Sequence, residues 1–395
     1  MALLLLLHLF LFLRLVTSAA ADSFPATAIF VLGDSTASCA ATTLSLNLTP
    51  PSSFSSPCLF HSGRRRLLPD ILAAKMELSP PPLISTLNGS AAAAAMGVNF
   101  GGEEGESGGA GVFRMGAVGQ QLRLAAETLQ LLRLEAATPG EASAAVAGAV
   151  FVVSFGADAY ARLLARGSEA DASAPKHGRR GFARLLAGRV ARAVQELYEA
   201  DVRRVAVLGV PPLGCAPRVM WDGLHLVDGR GCVEEANELV QGYNARVEAQ
   251  LDALRPELPG ADIVFCDVYK GVMEMITNPA AYALHRSSTR YQAERSELQL
   301  ARPKRQGFEE ARDACCGLGP FGGTIGCLTR EMACPTPQGH VWWDLYSVTE
   351  TVNTLLADWA WSVPPSPDSN TSVSRPITLQ QLAGQADAPP PPVMV

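Results

Sequence analysis

A serine at the end of a short apolar run is the first residue in this sequence that could do chemistry. Ala28-Ile29-Phe30-Val31-Leu32 runs into Gly33-Asp34-Ser35, and five consecutive apolar residues read as a buried strand. A serine placed there sits at the carboxyl end of its strand, where open α/β sheets bind ligands. An ordinary turn capped by Asp34 and Ser35 fits the same residues. For Ser35 to act as a nucleophile, the rest of the chain has to supply a base, an acid and an oxyanion hole.

Other side chains with reactive potential are scattered. His61, His177, His225 and His285 fall in loops or linkers, and His340 precedes Trp342-Trp343-Asp344 at the entry to an extended piece. Nine cysteines stand at 39, 58, 215, 232, 266, 315, 316, 327 and 334. Zinc binding is one reading of them. Cys315 and Cys316 are adjacent, however, no Cys-x-x-Cys occurs, and no nearby histidine pair completes a site, so disulfides are favoured. An odd count leaves at least one thiol free or intermolecular. The glycine-rich stretch from Gly97 to Gly111 lacks the Lys-Ser/Thr ending of a phosphate loop and follows no strong strand, which argues against nucleotide binding. No cofactor is expected.

The elements that must position these residues alternate. Val150 to Phe155, Val205 to Gly209 and Asp262 to Asp267 read as further buried strands. Helical spacing marks residues 69–77, 117–135, the stretch holding Phe182, Leu186, Val190, Val194 and Leu197, residues 236–254, and 349–361. This alternation predicts a three-layer α/β/α fold, one mostly parallel sheet with helices on both faces. A single domain is expected over residues 26–362. The polar stretch 285–306 reads as an insertion, and residues 363–395, ending in four prolines, as a Pro-rich mobile C-terminal tail.

Composition sets further bounds. At 395 residues, 48% hydrophobic and 18% charged, the chain is globular in type, and a formal charge of −6 offers no reason to expect nucleic acid or an anionic membrane as partner. Residues 2–13 are almost wholly apolar but too short to span a bilayer. Small residues follow at 17–21, so residues 1–21 read as a secretory signal peptide and the mature chain as lacking a transmembrane segment. Asn47-Leu48-Thr49, Asn88-Gly89-Ser90 and Asn370-Thr371-Ser372 match the glycosylation acceptor pattern, in keeping with a secreted, disulfide-bonded glycoprotein.

Taken together, the ordered motifs resemble the plant GDSL esterase/lipase family, a branch of the SGNH hydrolases. The resemblance covers about residues 26–384. It rests on Phe30 to Ser35, Gly97-Val98-Asn99-Phe100 with Ser107 to Gly111, Gly209 to Cys215, Cys232 to Asn237, Cys315-Cys316-Gly317, Trp343-Asp344 ahead of Thr349-Glu350, and Pro376 to Leu382. It implies hydrolysis of carboxylic esters, of lipids or acylated cell-wall material, through an acyl-enzyme. Ser35 matches the nucleophile and contributes its own N–H to the oxyanion hole. Gly109 matches a second donor, Asp158 stands at the position of the family's oxyanion Asn, and Asp344 matches the triad acid.

Two departures stand out. Ser347 occupies the position of the His base, and a serine cannot take a proton from Ser35 at neutral pH. An ionised Asp158 has no N–H to offer, and would donate only if its pKa were strongly raised. Weak or absent turnover follows as the expectation for this secreted esterase-like protein, with a non-catalytic acyl-ligand-binding or interaction role on the same fold as the alternative. The implied partner is a small-molecule ester or lipid. Substrate, acyl-chain preference and oligomeric state are not set by the sequence.

Overall fold

The computed structural model describes residues 25–38, 59–60, 63–64, 66–87, 94–101, 116–164, 178–223, 231–282 and 307–385. Five strands form the main sheet: β1 (Ile29–Gly33), β2 (Val150–Ser154), β3 (Arg204–Leu208), β4 (Asp262–Cys266) and β5 (Ser374–Arg375). They lie side by side in that order. The first four are parallel, and β5 pairs antiparallel with β4. Continuous apolar sequence in β1 and β2 follows from burial on both faces, as every residue of these two strands is buried.

The helices are α1 (Leu68–Lys75), α2 (Gly116–Glu135), α3 (Pro139–Gly148), α4 (Ala157–Leu164), α5 (Gly178–Glu199), α6 (Pro217–Asp222), α7 (Glu234–Leu254), α8 (Val268–Thr277), α9 (Glu350–Ser362) and α10 (Leu379–Leu382). One group packs α2 and α7 on α5, and another packs α1, α8 and α10 on α9. They flank the sheet, giving the expected α/β layering. One hydrophobic core runs through it, with Phe30 stacked on Phe151 at 4.8 Å between centroids and Tyr160 set against Phe182 and Tyr243.

The outer side of β1 is what locates the site. Val31 donates its N–H to Val98 O and accepts from Phe100 N, so the 98–100 segment lies beside β1 as a one-bridge parallel neighbour. Gly97 starts that approach with φ +113°, and a Cβ there would lie 2.0 Å from Ile29 O. Only glycine fits. The chain thus leaves β1 toward one side and returns as β2 on the other. Such a reversal opens a crevice at the carboxyl ends of the strands, the topological switch point of an open sheet, and Ser35 follows β1 there.

The expected tail does not hold over residues 363–385. Residues 363–385 belong to the packed domain: β5 extends the sheet, Val373, Leu379, Leu382 and Ala383 are buried, and Ala26 donates its N–H to Ala383 O. Composition misled because this segment is held by a short edge strand and a capped turn of helix, in which Thr378 accepts from Gln381 N. Arg375 also reaches across to both Glu248 and Asp267. The leader over 1–21, the 285–306 insertion and residues 386–395 lie outside the described residues.

Six of the cysteines pair: Cys215 with Cys232, Cys315 with Cys334, and Cys316 with Cys327. Cys266 is a buried free thiol on β4, whose pKa burial pushes up to about 12. Cys39 and Cys58 lie outside the described residues.

Candidate active site

Three of the residues singled out in the sequence meet in one cleft. Ser35, Asp158 and Ser347 line it, together with Leu67, Leu68, Leu208, Pro211, Leu213, Val268, Val348 and Leu356. It encloses about 620 Å³ including its open mouth. Apolar walls of this kind accept hydrocarbon, and the polar groups are Ser35, Thr36, Ser154 and Asp158 at the floor, with Tyr346, Ser347 and Asn353 beyond it.

The floor is built from the β1 turn. Gly33 cannot pair outward with the 98–100 segment, and Gln121 of α2 replaces that pairing. Its side-chain oxygen accepts from Gly33 N at 2.8 Å and its amide donates to Gly33 O at 3.0 Å. Asp34 then ties two loops together. Its carboxylate accepts from Thr36 N and Thr36 Oγ1 on one oxygen, and from Gly156 N (2.9 Å) and Asp158 N (3.2 Å) on the other. The latter two are free N–H groups at the start of α4, where a negative charge is favoured. Burial pushes the Asp34 pKa up, and the bonds from Thr36, Asp158 and Gly156 oppose it.

Gly156 makes the β2–α4 turn with φ +125°, and a Cβ there would stand 2.8 Å from the Tyr243 ring. Tyr243 itself is fixed by donating to Phe155 O at 2.6 Å. This turn brings Asp158 onto Ser35. The Ser35 hydroxyl donates to one Asp158 oxygen in a short hydrogen bond, and Ser35 N donates to the other at 3.2 Å. Both donors of Ser35 therefore face one carboxyl group. Burial first and the Asp34 charge second raise the Asp158 pKa to about 7, against the opposing effects of Ser35 and Arg162.

The opposite wall comes from the disulfide-bonded segment that follows residue 307. Cys315 N donates to Trp342 O, Cys316 N to Trp343 O, and Trp343 N to Ser347 O. The two disulfides thereby hold the 342–347 turn in place. Within it, one Asp344 oxygen accepts from Tyr346 N (3.1 Å) and Ser347 N (2.8 Å). Asp344 is buried. Its carboxylate orders the turn that presents Ser347, and Tyr346 beside it is buried with a hydroxyl that has no hydrogen-bond partner.

His340 is the only histidine among the described residues. It lies off the cleft, its Nδ1 at 3.3 Å from Asp313 O. Gly109 and the other histidines lie outside the described residues. Gln121 and Asp34 were not singled out from sequence as site-building residues. A long polar residue on a helix face that also buries Val118, Leu122, Ala125, Thr128 and Leu129 is the signal that marks Gln121. The disulfide ladder that carries Asp344 and Ser347 has no local signature beyond the cysteines themselves.

The sequence model of the family described as GDSL-like Lipase/Acylhydrolase matches residues 29–360. Among curated proteins, GDSL esterase/lipase At1g71250 of Arabidopsis thaliana is 28% identical over 321 residues, spanning 79% of this chain and 75% of that protein. GDSL esterase/lipase At5g37690 of Arabidopsis thaliana is 27% identical over 320 residues, 79% of each chain. A shorter match, to GDSL esterase/lipase At2g23540 of Arabidopsis thaliana, reaches 33% over 162 residues, 41% of this chain and 35% of that one.

Proposed function

The chain belongs to the GDSL-like Lipase/Acylhydrolase family, and on that premise we propose that its cleft binds a carboxylic ester of a lipid or of acylated cell-wall material in the secretory pathway, and turns it over weakly or not at all. One observation carries this reading: the Ser35 hydroxyl is bonded to the Asp158 carboxyl; the resemblance adds Ser347 at the position of the family's base. Family membership supports an ester-hydrolase ancestry and a small-molecule ester or lipid as ligand. The apolar walls fit an acyl chain, and Ser35 at the floor fits the ester carbonyl.

The chemistry follows from those positions. Acyl transfer needs the Ser35 proton to be removed as its oxygen attacks, and needs donors for the oxyanion that forms. Ser347 cannot remove that proton. One oxygen of the Asp344 carboxylate accepts two backbone N–H groups of its own turn, and with Ser347 at that place there is no imidazole for the carboxylate to orient. Ser35 N, the donor nearest the reacting carbon, is occupied by Asp158. Loss of the base from a serine triad costs about 10⁶ in kcat in a well-studied protease, and loss of an oxyanion donor roughly 10²–10³. Binding by the apolar walls is unaffected by either change, so acyl-ligand binding survives as the retained property.

A serine-directed fluorophosphonate probe tests this. Slow or undetectable labelling of Ser35 is expected, with p-nitrophenyl ester turnover near that of buffer. Rapid labelling, together with robust turnover abolished by Ser35→Ala, would overturn it.

A further inference from the structure

We propose that the outward face of the first half of α5 is a docking surface for an acidic polysaccharide, a linear polyuronate whose carboxylates meet Arg184, Arg189 and Arg192. The inward face of this helix is explained by packing, since Phe182, Leu186, Val190, Val194 and Leu197 are all buried. Its outward face is not. Residues 178–195 hold five arginines and no Asp or Glu, in a chain whose formal charge is −6. Arg184, Arg189 and Arg192 are exposed.

Local helix physics does not favour this arrangement. Arg179 and Arg180 stand in the first turn of α5 while Glu196 and Glu199 stand in its last, the reverse of what the helix dipole favours. Arg180 and Arg184 are four apart and Arg189 and Arg192 three apart, spacings at which like charges repel. An ordinary solvated helix mixes its charges and gains from the same spacings. A run of cations held against these effects is what an anionic partner requires. Arginine suits carboxylates in particular, which it meets with two parallel hydrogen bonds.

The shape of the stripe fits a thread-like partner. Arg184, Gly188 and Arg192 form one row along the helix, with Leu185 and Arg189 in the row beside it. From Arg184 to Arg192 that row is about 12 Å long. Gly188 leaves a gap in it, since a Cβ there would meet nothing within 4 Å. Leu185, 40% exposed, stands beside the gap and suits the C–H face of a sugar ring. A bilayer needs a broad apolar face, whereas Leu185 is the only exposed large apolar residue among the described side chains of α5. Among linear polyanions, the choice of a polyuronate rests on the reading above of acylated cell-wall material as ligand. The placement of the stripe agrees with it. α5 leads into β3 through residues 200–203, so its first half lies toward the carboxyl edge of the sheet, where Ser35 stands. Phe182 there packs on Tyr160, and Tyr160 on Tyr243, whose ring covers Gly156.

The test is fluorescence anisotropy of an end-labelled decagalacturonate titrated with the full disulfide-bonded chain. Saturable binding is expected, weakening about tenfold between about 50 and 200 mM NaCl as counterions are released. Arg184→Gln, Arg189→Gln and Arg192→Gln together are expected to weaken it at least about tenfold, the sum of three exposed ion pairs. Arg184→Lys, Arg189→Lys and Arg192→Lys together keep the charge, and are expected to hold the affinity within about threefold of the wild type. Neutral dextran and phosphatidylserine vesicles are not expected to displace the probe. An oligothymidylate of equal length is expected to bind no more tightly than it. Absence of binding at low salt, affinity independent of salt, equal affinity in the Gln variant, equal loss in the Lys variant, or tighter binding of the oligothymidylate or the vesicles would each overturn the proposal. The three arginines lie off the cleft, and fluorophosphonate labelling of Ser35 reads the ester site separately in each variant. A failure of the docking surface is thereby distinguished from a failure of the ester-site reading.

Discussion

The Asp158 carboxyl has a consequence for stability that needs no ligand. In the unfolded chain it titrates near 3.8, and in the folded protein burial and the Asp34 charge raise it to about 7. Between these two values the folded state holds a proton that the unfolded state has lost, so stability falls as pH rises through this window. Below about pH 4 there is no loss, and above about pH 7 the loss is complete. Three pH units at 1.36 kcal/mol each set a ceiling of about 4 kcal/mol, reduced by whatever water reaches this half-buried group. Asp158→Asn removes the titration while keeping the shape of the side chain and an acceptor for Ser35 N. The variant is therefore expected to match the wild type within about 1 kcal/mol at pH 4 and to exceed it by 2 to about 4 kcal/mol at pH 8. Urea denaturation of both proteins at intervals of half a pH unit, disulfides intact, gives the difference curve, in which the other carboxyl groups largely cancel. A difference that stays constant from pH 4 to pH 8, or that grows toward acid, refutes the reasoning.

Three further outcomes follow from the same geometry. Ser347→His combined with Asp158→Asn is expected to raise p-nitrophenyl ester turnover by at least about 10²-fold, the lower bound for one recovered oxyanion donor, with Ser35→Ala in that background abolishing the gain; an unchanged rate would mean that the 342–347 turn does not place residue 347 for proton transfer. Gln121→Leu strips the partners from both polar groups of Gly33 and is expected to cost about 2–4 kcal/mol in chemical denaturation, whereas a loss under about 1 kcal/mol would show that the turn does not depend on it. Replacing Cys315 and Cys334 together by Ser opens a 19-residue link, with an expected loss of about 3 kcal/mol in chemical denaturation; a loss under about 1 kcal/mol would show that the fold does not depend on this bridge.

What the sequence determines by itself is whatever is carried by local pattern. The strands and amphipathic helices are legible because burial on two faces demands runs such as Ile29–Leu32 and Val150–Val153, and burial on one face demands helical spacing. The family is legible because its motifs recur in order. Composition failed at residues 363–385, where a Pro-rich stretch still supplies β5 and buried apolar groups through long-range contacts to β4 and Ala26. Tertiary structure alone decided how Ser35 and Asp158, 123 residues apart, bond to each other. From sequence, the resemblance only sets Asp158 at the position of an oxyanion Asn. In the fold, the reversal of chain direction at β1, the glycine turn at Gly156 and the Asp34 clamp on the start of α4 aim that carboxylate at both donors of the serine. Hydrogen-bond direction, burial and like charge depend on which groups meet in space, and no spacing along the chain encodes that meeting.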